Sequence, residues 1–212
     1  MPNQLAESAL LAAKIWRFVR WPLAVLFILF VGVVIYRIPA VTEKQKTEEQ
    51  VAKIHTTKLA LDDVLGVSLP PAPDPALADA SVAGVDANKN GIRDDVELAI
   101  FAEYPDSAKT RAVLLQYALA LQMEATQEIV NEGIVIAAVQ EESRAYLCVG
   151  EILSRDNMQK FIEESDRLRS FVEEKHLNTE ERRKVRQEFY EKVGSHESLE
   201  RICDIDYSTL PN

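Results

Sequence analysis

An uncharged apolar segment near the N-terminus limits the possible folds of this chain more than any other feature. The segment is WPLAVLFILFVGVVIY, which runs from Trp21 to Tyr36 between Arg20 and Arg37. A helix that crosses a bilayer needs about 20 apolar residues, and apolar neighbours extend this run. Arginine side chains can reach from such a helix to the lipid headgroups, where tryptophan and tyrosine are also favoured. We therefore predict a single-pass transmembrane helix over residues 21–38, through which the chain contacts the membrane.

A cleaved signal peptide is one alternative to this anchor, and it would release a secreted domain. Signal peptides end in a small-x-small cleavage site. The best candidate here, Ile38-Pro39-Ala40, lacks a small residue at its first position. A buried core helix is the other alternative. Residues 1–20 are predicted to form a basic amphipathic tail, which is suited to lying on a membrane surface.

The charge of the chain is unevenly distributed. Residues 1–40 carry a net charge of +3, whereas residues 41–212 carry 20 basic and 33 acidic side chains, a net charge of −13. Phosphate contacts need clusters of lysine and arginine, so this balance predicts that the chain does not bind nucleic acid. An acidic surface also attracts divalent cations, although solubility alone explains such a composition.

Two segments with different backbone preferences follow the predicted anchor. Thr42-x-x-Gln45 is a plausible capping box for a helical stalk over residues 42–65. The stalk is expected to be a single solvated helix, with a short coiled coil as the alternative. Four prolines within six residues then predict an extended, Pro-rich linker over residues 66–85, because proline cannot continue a helix.

Residues 86–212 are predicted to form a polar loop followed by a C-terminal α-helical bundle. Their apolar residues recur with helical spacing, and no alternating β-pattern of useful length occurs. Ser107 is predicted to cap a long helix that Gly133 breaks or kinks, and Asn178-x-x-Glu181 to cap a later one. The other predicted helices cover 95–103, 134–149, about 157–176, and a short final segment that holds Leu199, Ile202 and Cys203. The chain as a whole is therefore predicted to be all-α.

The polar loop, DANKNGIRDDVE, covers residues 86–97 and suits a calcium ion. Calcium takes six to eight oxygen ligands, and oxygen-bearing side chains at alternate positions before a glycine can surround it. The predicted ligands are the side chains of Asp86, Asn88, Asn90, Asp94 and Glu97 and the backbone carbonyl of Ile92. Asp94 would bind directly or through water, and Glu97 would bind with both oxygens. The alternative is a metal-free turn in which Asp94-x-x-Glu97 is a capping box.

This loop resembles the calcium loops of the EF-hand and of the wider DxDxDG class, which includes dockerin and thrombospondin type 3 repeats. The resemblance covers residues 86–97 only and implies a Ca²⁺ site. It departs from an EF-hand because a proline-rich segment stands where the entering helix would be. Arg93 also occupies a position that is usually aliphatic and pairs with a second loop. We therefore expect a solitary structural site with a Kd of roughly 10⁻⁴–10⁻³ M.

Cys148 and Cys203 are the two cysteines of the chain. In an oxidising compartment we expect them to form a disulfide, and two buried free thiols are the alternative. A zinc site that adds His176 and His196 has weak support, because the spacing matches no zinc motif. Paired cysteines and a calcium-type loop suit a location outside the cytoplasm. We therefore predict a cytoplasmic N-terminus and a periplasmic or otherwise extracytoplasmic domain.

Catalytic motifs are missing from the sequence. No nucleophile elbow, metalloprotease motif or phosphate-binding loop occurs. His176 and His196 are predicted to be exposed, and acidic pairs such as Glu141-Glu142 to form solvated helix faces. We therefore predict that the chain is not an enzyme but an interaction module of the cell envelope with an unidentified protein partner. An envelope enzyme or enzyme subunit without a recognisable motif is the alternative.

Overall fold

The computed structural model describes the backbone of residues 2–212 and the side chains of Trp16 and residues 18–212. Over this range the chain forms helices and no strand, so the predicted all-α class is confirmed. The elements are α1 (Pro2–Thr56), α2 (Leu61–Leu65), α3 (Pro75–Ala78), α4 (Asp94–Glu103), α5 (Ala108–Thr126), α6 (Glu132–Glu151), α7 (Met158–His176), α8 (Glu180–Tyr190) and a 3₁₀ turn (Tyr207–Thr209). The chain divides into two compact units, Met1–Lys46 and Thr47–Asn212.

The first unit consists of the N-terminal part of α1. The helical stretch Phe18–Thr56 contains an 18-residue window with a mean hydropathy of 2.5, and no residue of that window is buried. It is therefore long and apolar enough to cross a membrane. Thr42 lies inside α1, where its Oγ1 donates a hydrogen bond to the carbonyl of Ile38 at 3.0 Å. The predicted capping box at Thr42 is wrong, because the helix already continues through it. The predicted amphipathic tail, residues 1–20, rests mainly on side chains outside those described.

The segment between α1 and the loop differs from an extended linker. It contains α2, which Gly66 ends with a φ of 71°, and α3, where the Asp74 side chain accepts a hydrogen bond from the backbone N–H of Ala76 at 2.8 Å. Pro70 and Ala78 are buried. The segment therefore packs as part of the second unit, and α1 ends at Thr56 before the predicted end of the stalk.

Helix α5 forms the centre of the second unit. Its sequence is apolar around most of its circumference, which is typical of a helix that is buried on all sides. Nearly all of its residues from Arg111 to Glu124 are buried, and it contacts α2, α4, α6, α7 and α8. Ser107 caps it as predicted, accepting a hydrogen bond from the N–H of Thr110 at 3.1 Å. The break after α5 precedes Gly133, which lies in the first turn of α6.

The hydrogen bonds of polar side chains determine which residues cap helices α7 and α8. Asn157 caps α7, and its side chain accepts a hydrogen bond from the N–H of Lys160 at 3.1 Å. Thr179, not Asn178, caps α8, so the predicted cap is displaced by one residue. The Asn178 side chain is occupied elsewhere, because it accepts a hydrogen bond from Arg182 and donates one to Asp79 at 3.0 Å.

The C-terminal segment after α8 is irregular, so the short helix predicted around Leu199 and Cys203 is wrong. Its backbone groups are bonded by side chains of the bundle instead of by a helical turn. Gln116 donates to the carbonyl of Ile202 at 2.9 Å and accepts from the N–H of Asp204 at 2.9 Å. Arg144 donates to the same Ile202 carbonyl at 3.2 Å. Such external partners satisfy buried backbone groups as well as a helix would.

Candidate metal centre

The backbone of residues 86–91 turns sharply around the carboxylate of Asp86. This carboxylate accepts hydrogen bonds from the N–H of Asn90 at 3.2 Å and from the N–H of Gly91 at 3.0 Å. Lys89 and Gly91 both have a positive φ, 59° and 84°. A Cβ at position 91 would lie 2.8 Å from the side chain of Leu119, so both the conformation and the packing favour glycine there.

Three of the predicted ligands meet at the end of the loop. Asn88 Nδ2 lies 3.1 Å from Glu97 Oε2, and Asn90 Nδ2 lies 3.1 Å from Glu97 Oε1. Each amide therefore occupies one oxygen of the same carboxylate. If the two side-chain amides rotated by half a turn, their oxygens would take the positions of the nitrogens, beside the Glu97 carboxylate. Asp86 belongs to the same group through its bond to the Asn90 backbone.

Asp94 and Ile92 take other positions in the loop. Both Asp94 oxygens accept from the N–H of Ala87, at 3.0 and 3.2 Å, and the Asp94 N–H donates to the carbonyl of Val85 at 2.9 Å. Asp94 thus closes the loop at its base. The Ile92 side chain is fully buried, and its N–H donates to Asn90 Oδ1 at 2.9 Å.

The electrostatics of the loop favour a cation. Glu97 is only 1 % exposed, and burial raises its pKa to about 7, against the hydrogen bonds from the two amides. Burial also raises the pKa of Asp94, which is equally inaccessible. Among the side chains that the structure describes, no lysine or arginine forms an ion pair with either carboxylate. Two buried carboxyl groups without a cationic partner are the environment in which a bound cation stabilises a fold most.

No group of three or more His, Cys, Asp or Glu side chains within the described part of the chain is close enough to hold a metal ion by itself. In the loop, the amides of Asn88 and Asn90 stand between the carboxylates. A site here therefore depends on amide and carbonyl oxygens as well as on carboxylates. Calcium accepts such a mixture, whereas zinc prefers nitrogen and sulfur ligands.

Arg93 has a structural role that the sequence did not reveal. Its side chain is fully buried and donates to the carbonyls of Lys175 at 2.7 Å and His176 at 3.1 Å, the last residues of α7. It also forms an ion pair with Asp95 at 2.6 Å. An arginine is favoured at a helix C-terminus, where carbonyl groups lack partners within the helix. Arg93 therefore attaches the loop to the bundle.

The segment that leads out of α1 also touches the loop. Asn88 Nδ2 donates to the carbonyl of Ser68 at 3.1 Å, in addition to its bond to Glu97. The carboxylate of Asp63, on α2, raises the pKa of Glu97 further. The candidate centre is thus held between α2, α4 and the end of α7.

Cys148 and Cys203 form a disulfide, as predicted, with their Cα atoms 5.2 Å apart and a sequence separation of 55. Because it joins α6 to the irregular C-terminal segment, the bridge fixes a part of the chain that no helix holds. The two cysteines are therefore not free to form the weakly supported zinc site.

The histidines are separated from one another and show no catalytic arrangement. His55 lies 2.9 Å from Glu141, and His196 is exposed, as predicted. The prediction that His176 is exposed is wrong: it is 2 % exposed, and burial with nearby arginines lowers its pKa to about 3. The Glu141-Glu142 pair is buried as well, so its predicted solvated face is also wrong. Contacts from distant parts of the chain cover these positions: Gln122 of α5 contacts His176, and Arg186 of α8 contacts Glu142. His55 and Lys58 contact Glu141.

A surface depression of about 560 Å³ lies between α6 and α7, beside the disulfide. Its apolar lining includes Tyr146, Phe161 and Ile162. Arg155 and Arg169 also line it, and each forms an ion pair with an acidic residue on its own side of the depression. Its size is within the range of ligand pockets. Nothing in its lining specifies a ligand.

No protein family, no curated protein and no solved structure matches this chain.

Proposed function

We propose that this chain is a membrane-anchored, extracytoplasmic helical protein whose domain binds one calcium ion through residues 86–97. The observation that carries the proposal is the meeting of Asn88 and Asn90 at the buried carboxylate of Glu97. Asp86 shapes the turn between them. In this arrangement a calcium ion would neutralise the Glu97 carboxylate and link the loop residues Asn88 and Asn90 to α4. The role is structural, since the loop is solitary and already attached to the bundle by Arg93.

The location follows from different observations. Disulfides persist in oxidising compartments, which supports a domain outside the cytoplasm. Calcium in such compartments suits a site with a Kd of roughly 10⁻⁴–10⁻³ M. The helix Phe18–Thr56 is the candidate anchor, with its N-terminus in the cytoplasm. A tethered bundle of this kind suits an interaction module of the cell envelope, and its protein partner is unidentified.

Calcium binding is tested by isothermal titration of the full chain in detergent micelles. We expect one site in the wild-type protein and no binding in Glu97→Gln, which keeps the shape of the side chain but removes its charge. Glu103→Gln is the matched control, because Glu103 is exposed at the other end of the same helix. The control should bind as the wild type does. Absence of heat at about 10 mM calcium, or equal binding by Glu97→Gln, would contradict the proposal.

The topology is tested with sealed membrane vesicles of known orientation. Protease added to the extracytoplasmic face should digest residues 47–212, and protease confined to the cytoplasmic face should leave them intact. The reverse pattern would contradict the proposed orientation. Release of the intact domain without protease would instead indicate a cleaved signal peptide.

A further inference from the structure

A second group of buried charges lies where α5, α6, α7 and α8 meet around Arg186, near the C-terminal end of α7. Three carboxylates face this guanidinium: Glu142 at 3.4 Å, Glu173 at 3.7 Å and Glu124 at 3.8 Å. Arg186 is 19 % exposed, whereas Glu124 is only 3 % exposed. We call these four residues the Arg186 cluster. One cation thus faces three potential anions in a largely desolvated space.

The other cations near the cluster are occupied. Arg182 donates to the backbone carbonyls of Ala78, Ser81 and Val82 and pairs with Asp79. Arg93 is bound to Asp95 and to the end of α7. Neither arginine therefore supplies a charge that would balance the carboxylates at close range.

His176, which faces the cluster from α7, is held neutral. Gln122 donates its Nε2 to the carbonyl of Ala83 at 2.7 Å, so its Oε1 is the atom that faces His176 Nε2 at 3.0 Å. His176 Nε2 must therefore carry the proton, which leaves Nδ1 as an acceptor. A neutral imidazole adds no positive charge to the cluster.

The tyrosines on either side of the cluster also remain neutral. Tyr117 donates to Glu173 Oε1 at 2.5 Å, and the guanidinium of Arg186 lies over the ring of Tyr190, 5.3 Å from its centroid. Burial raises the pKa of both phenols, and the nearby carboxylates add to the effect. The titratable and charged groups around Glu124 are Tyr117 on α5, Glu142 on α6, Glu173 and His176 on α7, and Arg182, Arg186 and Tyr190 on α8.

Glu124 has the features of a group that keeps its proton. Its Oε1 is buried without a hydrogen-bond partner, and so are His176 Nδ1 and Arg186 Nη1. All three residues line one small cavity of about 10 Å³, the room that a single water molecule needs. Burial and the carboxylate of Glu142 raise the pKa of Glu124 well above its usual range. A buried carboxylate with one oxygen left without a partner would otherwise destabilise the fold strongly.

We propose that the Arg186 cluster is a proton-binding site in which Glu124 takes up one proton from solvent when the domain folds near neutral pH. Glu142 and Glu173 are the closer partners of Arg186, and the neutral carboxyl of Glu124 completes the interface of α8. At alkaline pH the proton is lost to solvent, and repulsion between Glu124 and Glu142 weakens the packing of α8. The site is independent of the calcium loop.

The sign of the pH effect follows from this uptake. Between the usual carboxyl pKa of about 4.3 and the higher value in the folded domain, the folded state binds more protons than the unfolded state. The stabilisation is thus complete at acidic pH and is lost as pH rises through the pKa of folded Glu124. The folding constant should fall tenfold per pH unit within this window.

The test compares urea unfolding of the full chain in detergent micelles, in saturating calcium, from pH 5 to 9.5. The folding constant of Glu124→Gln relative to the wild type should rise tenfold per pH unit over at least one unit, because glutamine needs no proton. Glu174→Gln is the matched control, an exposed glutamate on α7, and its ratio should stay constant. A constant ratio for Glu124→Gln would overturn the proposal. So would a ratio that changes when more calcium is added at fixed pH and ionic strength, since that indicates a metal cation bound in place of the proton.

Infrared spectroscopy of a protein that keeps Glu124 gives a second readout if Glu124→Gln does not fold. In a protein with both Asp94→Asn and Glu97→Gln, which lacks the two loop carboxyls of raised pKa, the carbonyl band of a protonated carboxylic acid should persist at pH 7 and disappear at higher pH. Absence of this band at pH 7 would overturn the proposal.

Discussion

Calcium affinity is expected to fall about tenfold when the pH is lowered from 8 to 6. Glu97 is the carboxylate at which the loop side chains meet, and burial raises its pKa to about 7. A carboxylate must be deprotonated before it can bind a metal ion, so a proton and a calcium ion compete for the same oxygens. The buried position of Glu97 brings this competition into the neutral pH range, whereas an exposed glutamate, with a pKa of about 4.3, would show it only at lower pH.

The magnitude follows from the ionised fraction of Glu97. With a pKa of about 7, roughly nine-tenths of the side chains are ionised at pH 8 and roughly one-tenth at pH 6. The apparent association constant scales with this fraction, and a tenfold change corresponds to about 1.4 kcal/mol. The raised pKa of Asp94 acts in the same direction.

The same argument sets the stability of the calcium-free domain. Because the pKa of Glu97 is raised on folding, its contribution is complete below about pH 4.3 and is lost as pH rises through about 7. Calcium should offset that loss. The increase in melting temperature on adding calcium is therefore expected to be larger at pH 8 than at pH 6.

Calorimetric titrations at pH 6, 7 and 8 measure the effect directly. Two buffers with different ionisation enthalpies also report the protons released, and we expect about half a proton per calcium at pH 7. Glu103→Gln should show the wild-type pH dependence. Equal dissociation constants at pH 6 and pH 8, or no proton release at pH 7, would refute the assignment of Glu97 as a ligand that is protonated in the free loop.

Three further predictions concern stability and are checked by urea or thermal unfolding followed by circular dichroism. Replacement of Cys148 and Cys203 by alanine should lower the free energy of unfolding by about 4 kcal/mol, because the bridge closes a long loop; a loss below about 1 kcal/mol would contradict this. Arg93→Met should cost about 3 kcal/mol by leaving buried carbonyls and a carboxylate unpaired, whereas exposed Arg167→Met should have little effect. Gly91→Ala should cost about 1–2 kcal/mol through its positive φ and should weaken calcium binding, and an unchanged affinity would show that the turn tolerates a side chain.

Local signals in the sequence predicted most of the helices. The caps at Ser107 and Asn157 depend on contacts within four residues, so the chain specifies them without its tertiary structure. The same is true of the loop, in which Asp86 and Gly91 set the turn by bonds over five residues. The disulfide was predictable because two cysteines allow only one intramolecular pairing, which an oxidising compartment favours.

Long-range contacts explain what the sequence did not predict. Asparagine is a favoured residue at helix N-caps, but the Asn178 side chain is hydrogen-bonded to Arg182 and Asp79. Thr179 therefore caps α8 instead. The burial of His176 depends on α8 and on the arginines around it, which are not neighbours in sequence. No local pattern contains this information, because a histidine near a helix end is compatible with either a buried or an exposed position.

Arg93 shows how a single departure from a motif can indicate tertiary structure. In a paired calcium loop this position contacts a second loop, and a charged side chain would be unfavourable there. Here the partner is the end of α7, whose carbonyl groups accept hydrogen bonds from the guanidinium. Leu119 of α5 and the carbonyl of Ser68 fix the loop at two further points. A loop held at three points has little conformational freedom left to lose, so the bundle supplies the rigidity that a second loop provides in a paired calcium loop.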